Sequence, residues 1–191
     1  MSNVVLIDTG VAGQILSKVG DSASKWNTAV EQIISEIPQA KYVIPTPVWH
    51  EIAQWNGESF REVEDQIKKG CSGIYQYAGH TIPNYLLMDA AWYKCETRMD
   101  KAKNPDKKGI GKLKADKISM IDALIACYSL RFGYFVLTLN QQDFPDMFFE
   151  LIKISQAPSS TEFQRDFISL LRPNQHQWQL SRNPRSFEPP F

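Results

Sequence analysis

The chain has 191 residues, with 21 Lys and Arg set against 21 Asp and Glu. That length suits one domain with a sizeable core, and 12% aromatic with 22% charged residues is too apolar for a disordered chain. A net charge of zero excludes a global basic field that would hold nucleic acid or an acidic membrane, so any such role rests on a local patch.

Val4–Ile7 is a continuous, mostly β-branched run, which predicts a buried strand over Asn3–Asp8 broken by Thr9 and Gly10. Helical spacing follows over Val11–Val19 and Ser24–Ile37, and Pro38 ends the second helix. Lys41–Ile44 reads as a second strand. Thr46 as N-cap and Pro47 as first helical residue predict a helix to about Trp55. Phe60–Lys69 reads as a polar helix, and the glycine-containing stretch Gly70–Pro83 as a loop. Tyr85–Met99 is expected to be a helix whose apolar seam is Tyr85, Met88, Trp92, Cys95 and Met99, packed on the core or on a partner subunit.

Lys103–Lys117 is lysine-rich and loop-like, either a guide for RNA phosphates or a solvated loop. Ile118–Arg131 is apolar nearly all round, which predicts a buried helix. Tyr134–Thr138 reads as a strand, Asn140–Met147 as a turn or short helix, and Phe148–Ile154 as a last strand. Ser159–Leu171 is expected to be a helix. From Arg172 the proline-containing tail is expected to be extended, with Trp178 and Phe187 able to stack on a partner. The apolar runs are too short to span a bilayer and no signal peptide is read, so the expectation is a cytoplasmic chain without a membrane segment. Cys71, Cys95 and Cys127 have no paired spacing, and His50, His80 and His176 are scattered, which argues against disulfides and a zinc site.

Strands alternating with helices argue for an α/β fold with a short parallel sheet, whose ligand crevice lies outside the carboxyl ends of the strands. Asp8 ends the first strand, Glu51 lies early in the helix after the second, and Asp143 follows the strand Tyr134–Thr138. Asp122 falls about 40° from Ile118 and about 60° from Ile125 around its helix, hence on an apolar stripe. Taken singly, Asp8 reads as a helix cap, Glu51 as a solvated residue and Asp143 as turn chemistry, while Asp122 is the exception, either a hydrogen-bonded buried acid or a metal-bound one. Asp116 reads as an N-cap and His50 as a structural histidine. Brought together, the four acids would repel, and a hard divalent cation with oxygen ligands, Mg²⁺ or Mn²⁺, would relieve that repulsion.

Four stretches taken in order resemble the PIN-domain ribonucleases: Val4-Val5-Leu6-Ile7-Asp8-Thr9, Ile44 to Ile52 with Glu51, Ile121-Asp122-Ala123-Leu124-Ile125-Ala126, and Leu137-Thr138-Leu139-Asn140-Gln141-Gln142-Asp143-Phe144. They span Asn3 to Phe144. Gly10 departs from the Ser or Asn common in the family, and extra length lies in Gly57–Lys117 and after Ser155.

The resemblance implies a three-layer α/β/α fold with a short central parallel sheet. It implies a nuclease domain over 1–155, with an insertion at about 57–117, and an added C-terminal helix and tail over 156–191. It also implies that Asp8, Glu51, Asp122 and Asp143 hold one or two Mg²⁺ or Mn²⁺ ions, with Thr9, Thr138 and Asn140 orienting acids or a phosphate. The implied activity is hydrolysis of RNA to 5′-phosphate and 3′-hydroxyl ends. Many bacterial members are dimeric toxins restrained by a cognate antitoxin protein. The alternative is a non-catalytic PIN-like binding or assembly module. An aspartyl-phosphate phosphatase needs a second Asp where Gly10 stands.

Overall fold

Four hydrophobic residues, Val4–Ile7, make β1, and all but Val4 are fully buried. A strand with both faces covered has no use for polar alternation, and β1 is flanked in parallel by β2 (Lys41–Ile44) and β4 (Phe135–Thr138). The computed structural model describes residues 3–17, 21–56, 75–77, 82–103, 118–158 and 166–181. The expected helix Phe60–Lys69, the lysine-rich stretch from 104 to 117 with Asp116, and the tail from 182 with Phe187 lie outside the described residues.

Two helices, α1 (Thr9–Ser17) and α2 (Asp21–Ile34), connect β1 to β2. α2 stops before Pro38, leaving Ile37 buried in the turn that follows. α3 (Thr46–Asn56) starts at Thr46 itself, with Pro45 offering its carbonyl to Val48 and Trp49. A short strand, β3 (Tyr75–Tyr77), pairs in parallel with β2. It falls inside the expected loop Gly70–Pro83, where three residues are too few to carry a periodic signal.

α4 (Asn84–Lys103) lies along α5 (Met120–Phe132). Part of the expected seam of α4 is turned outward, with Met88 69% exposed, Tyr85 43% and Cys95 exposed, while Trp92 is half-buried against the core. The buried stripe runs one residue over, through Leu86, Ala90, Tyr93 and Thr97, with Asp89 beside it. Small Ala90 lets α5 approach closely, and the Tyr93 and Thr97 hydroxyls find carbonyl partners inside. Arg131, in the last turn of α5, sits 4.3 Å above the Tyr85 ring and 3.7 Å from buried Asp89, fastening the two helices at their rim. Gly133 closes α5 at φ 70°, where a β-carbon would also meet Gln175 Oε1 at 2.8 Å.

The last part of the chain departs most from expectation. Residues 167–173 are not helical; Phe167–Pro173 is strand β6, antiparallel both to β4 and to β5 (Phe149–Gln156). Ile168, Ser169, Leu170 and Leu171 are all buried because β6 lies inside the sheet, and a short apolar run fits a buried strand as well as a helix. Among the described residues the sheet is therefore six-stranded and mixed, in the order β3-β2-β1-β4-β6-β5, with the β3-β2-β1-β4 part parallel. It crosses the expected boundary at residue 155. The expected tail contains α6 (Gln175–Ser181), whose Trp178 is 2% exposed and packs edge-on against Trp92 and Phe148 rather than facing a partner. Among the described residues, no helix is long and apolar enough to cross a membrane.

From β1 the chain steps outward to β2 and β3, then returns to place β4 on the other side of β1. The strand order reverses between β1 and β4, and at such a point the connections leave in opposite directions and open a crevice beyond the strand ends.

Candidate functional site

That crevice is where Asp8 sits. Its backbone N–H donates to Leu137 O at 3.0 Å, extending the β1–β4 ladder by one residue, and its carbonyl accepts from Ala12 to start α1. The reading of Asp8 as a cap thus holds for its backbone, while its side chain does more. Oδ1 accepts the Thr9 N–H at 2.7 Å and Oδ2 accepts the Thr138 hydroxyl at 2.6 Å. The Thr9 hydroxyl turns to α3 and donates to Glu51 Oε2 at 2.6 Å. Thr138, the last residue of β4, accepts the Asn140 N–H at 2.9 Å, and the Asn140 amide donates to Asp143 Oδ2 at 2.5 Å.

A single hydrogen-bonded chain therefore runs Glu51–Thr9–Asp8–Thr138–Asn140–Asp143, from α3 to the 3₁₀ turn Gln141–Asp143. Thr138 makes it continuous, because one hydroxyl donates and accepts at once.

Asp122 joins from a different direction. It lies in the first turn of α5, half-buried rather than enclosed on an apolar stripe. Its Oδ2 accepts the Ser119 hydroxyl at 2.6 Å and the Ser119 N–H at 3.3 Å, while its own N–H donates back to Ser119 Oγ at 3.0 Å. This capping box, together with the positive end of the helix, accounts for a carboxylate at that place. The serine three residues ahead of the acid is the sequence signal that points to it.

The electrostatics tie the acids together. The Asp8 carboxyl is pushed up to about 7 by burial first, with the Asp122 and Glu51 charges adding to it against the bonds from Thr138 and Thr9. Asp143 is likewise raised to about 7, by burial and then by the charges of Asp122 and Asp8. Asp122 thus acts on both. The ion pairs among the described residues go elsewhere, to Asp89, Glu36 and Glu150.

A divalent cation matches this donor set. Glu51 Oε1, Asp122 Oδ1 and Asp143 Oδ1 take no hydrogen bond among the described residues. An oxygen-only, net-negative donor set is the chemistry Mg²⁺ and Mn²⁺ prefer. Among the described residues, however, no three His, Cys, Asp or Glu side chains stand together as a ready-made cage. Each acid accepts a hydrogen bond from its own protein donor.

His50, next to Glu51, is exposed. A contact absent from the sequence reading is the Tyr93 hydroxyl, which donates to the Asp143 carbonyl at 2.9 Å across 50 residues. Burial, then Cys127, Asp143 and Asp122, keeps that phenol protonated well above its usual range. A cleft of about 350 Å³ opens at the other end of β4, between Phe132, Phe135 and Arg172. It lies about 10 Å from Thr138 along the strand, and Arg172 is satisfied there by Glu150 at 2.6 Å.

Thr138→Val tests the hydrogen-bonded chain. It leaves an Asp8 oxygen and the Asn140 N–H unmatched, which costs on the order of 2 kcal/mol. The urea midpoint should fall with an unchanged slope. A midpoint equal to wild type would show that the chain contributes nothing.

No family model matches the sequence, and no curated protein matches it.

Proposed function

We propose that this chain is a divalent-metal-dependent endoribonuclease of the PIN-domain type, with a three-layer α/β/α arrangement. The observation that carries the reading is the gathering of Asp8, Glu51 and Asp143 on one hydrogen-bonded chain at the sheet's switch point, with the Asp122 charge felt by two of them. Acids raised to about 7 by burial and then by one another's charge are the mark of a site built for a charge that neutralises them. Asp8, Glu51, Asp122 and Asp143 would hold Mg²⁺ or Mn²⁺, which supplies positive charge to polarise a phosphodiester. Thr9 and Thr138 fix the Asp8 and Glu51 carboxyls, and Asn140 fixes Asp143, so these acids meet the substrate pre-oriented. On this reading the chain acts on RNA in the cytoplasm as a dimer, and a toxin role adds an antitoxin protein as partner.

The test is cleavage of a mixed structured RNA with Mg²⁺, Mn²⁺ or a chelator, comparing wild type with Asp122→Asn. Cutting that needs the metal and disappears in the variant is the expected result. Cutting that persists in the variant places the activity elsewhere.

The lack of a ready-made cage among the described residues favours a second reading, a non-catalytic binding or assembly module of the same fold. Folded wild type that neither cuts RNA nor binds Mn²⁺ would establish that reading instead.

A further inference from the structure

The 3₁₀ turn that carries Asp143 is three residues long, and its own hydrogen bonds are few: Asp143 N–H to Asn140 O at 3.3 Å and Phe144 N–H to Gln141 O at 3.0 Å. So short a turn with such bonds does not hold its shape alone. Asn140 holds one oxygen of the Asp143 carboxyl, so where that carboxyl points depends also on what fixes the backbone of the turn.

We propose that Tyr93 is a positioning residue for Asp143, clamping the turn through its hydroxyl and itself braced by α6. This deepens the metal-site reading above and rests on it. The Tyr93 side chain is fully buried on α4, and its O–H meets the Asp143 carbonyl at 2.9 Å. The ring is fixed from behind by Phe148, centroids 5.7 Å apart, and by Trp178, 6.2 Å. Trp178 closes the box edge-on against Phe148 at 5.4 Å and Trp92 at 5.1 Å.

A second link runs through the backbone. Asn174 N–H donates to Phe148 O at 2.7 Å, and the Asn174 side chain caps α6 by accepting from Gln177 N–H at 3.0 Å. Phe148 N–H in turn donates to Pro145 O, two residues beyond Asp143. The acid turn is therefore gripped on both sides by elements that supply no carboxylate. Tyr93 acts through the Asp143 backbone, and what it controls is the direction of that side chain.

The experiment uses the full chain with Tyr93→Phe, which removes one oxygen and leaves the ring. Amide hydrogen exchange is read at Phe144 in metal-free protein, and Mn²⁺ affinity is read by calorimetry without RNA. The expected result is faster exchange at Phe144 and Mn²⁺ binding weaker by about tenfold, the lower range for outer-shell partners of metal ligands. Thr97→Val is the control, because it deletes another buried hydroxyl of α4 that bonds only to carbonyls of its own helix. It should move neither readout, so a loss seen only with Tyr93→Phe is not general loosening of α4.

Unchanged exchange at Phe144 overturns the clamp. Faster exchange with wild-type Mn²⁺ affinity also overturns it, since the turn would then move without its carboxylate being felt. Wild-type protein that binds no Mn²⁺ is a different failure: it overturns the metal-site reading, and with it the proposal built on it.

Discussion

Asp8→Asn should abolish metal-dependent RNA cleavage, by about 10³-fold, and at the same time raise the melting temperature. The two effects have one cause. Asp8 is buried, and its carboxyl, raised from 3.8 to about 7, is charged at pH 8 against the preference of its surroundings. A shift of that size corresponds to on the order of 4 kcal/mol of opposition to the native state. The amide keeps an acceptor for the Thr9 N–H and removes the charge that Asp122 and Glu51 repel. Part of the opposition returns as lost or reoriented bonding at Thr138, leaving a gain of about 1–2 kcal/mol, or about 3–6 °C for a domain of this size. The activity falls because a neutral amide no longer contributes charge to a cation, and several kcal/mol of transition-state stabilisation is about three decades in rate. Thermal melts at pH 8 in chelator and single-turnover cleavage measure the two sides. A variant less stable than wild type that still cuts would contradict both the site and its electrostatics.

The second large effect is a reversal of pH dependence by metal. In the unfolded chain Asp8 and Asp143 lose their protons near 3.8, and in the folded chain only at about 7. Between those values the folded state holds protons that the unfolded state has released. Metal-free stability therefore falls as pH rises from about 4 to 7, then levels. Asp143, being only half-buried, contributes less than its shift suggests. A cation bound to the ionised acids acts oppositely, because it must displace those protons at low pH. Mn²⁺ at a hundred times its dissociation constant adds about 2.7 kcal/mol. The melting temperature should rise by about 5–10 °C at pH 8 and much less at pH 5.5, with proton release seen in weak buffer. Equal gains at both pH values would show that the cation binds somewhere other than these acids.

Much of the frame was legible in the sequence because its signals are local. β1, β2 and β4 are short apolar runs bounded by breakers, and α3 announces itself with Thr46 and Pro47. What failed was what only tertiary context decides. The large residues of α4, Tyr85 and Met88, form a better apolar stripe by periodicity than Leu86, Ala90, Tyr93 and Thr97, yet α5 takes the smaller stripe. β6 and a helix are equally good readings of Phe-Ile-Ser-Leu-Leu until β4 and β5 are placed on either side of it.

In the candidate site, the acids and the threonines could be read one by one from the strand ends. Ser119 is readable as the cap of Asp122 from its spacing, a signal overshadowed by the apolar run that follows it. Tyr93 was not readable: nothing local to a tyrosine on an apolar face says which distant carbonyl its hydroxyl will meet.

The place of β6 in the sheet also sets an order of events on the ribosome. Thr138 pairs with Ser169, so the outer edge of β4 stays bare until a strand encoded about thirty residues later has been made. At about 5–20 residues per second that interval lasts a few seconds. Throughout it, the threonine that holds Asp8 stands at the end of an unfinished ladder, and Trp178, which braces the Asp143 turn from behind, has yet to be translated. A chain that cuts RNA would thus have its acids aligned only after β6 and α6 had left the ribosome.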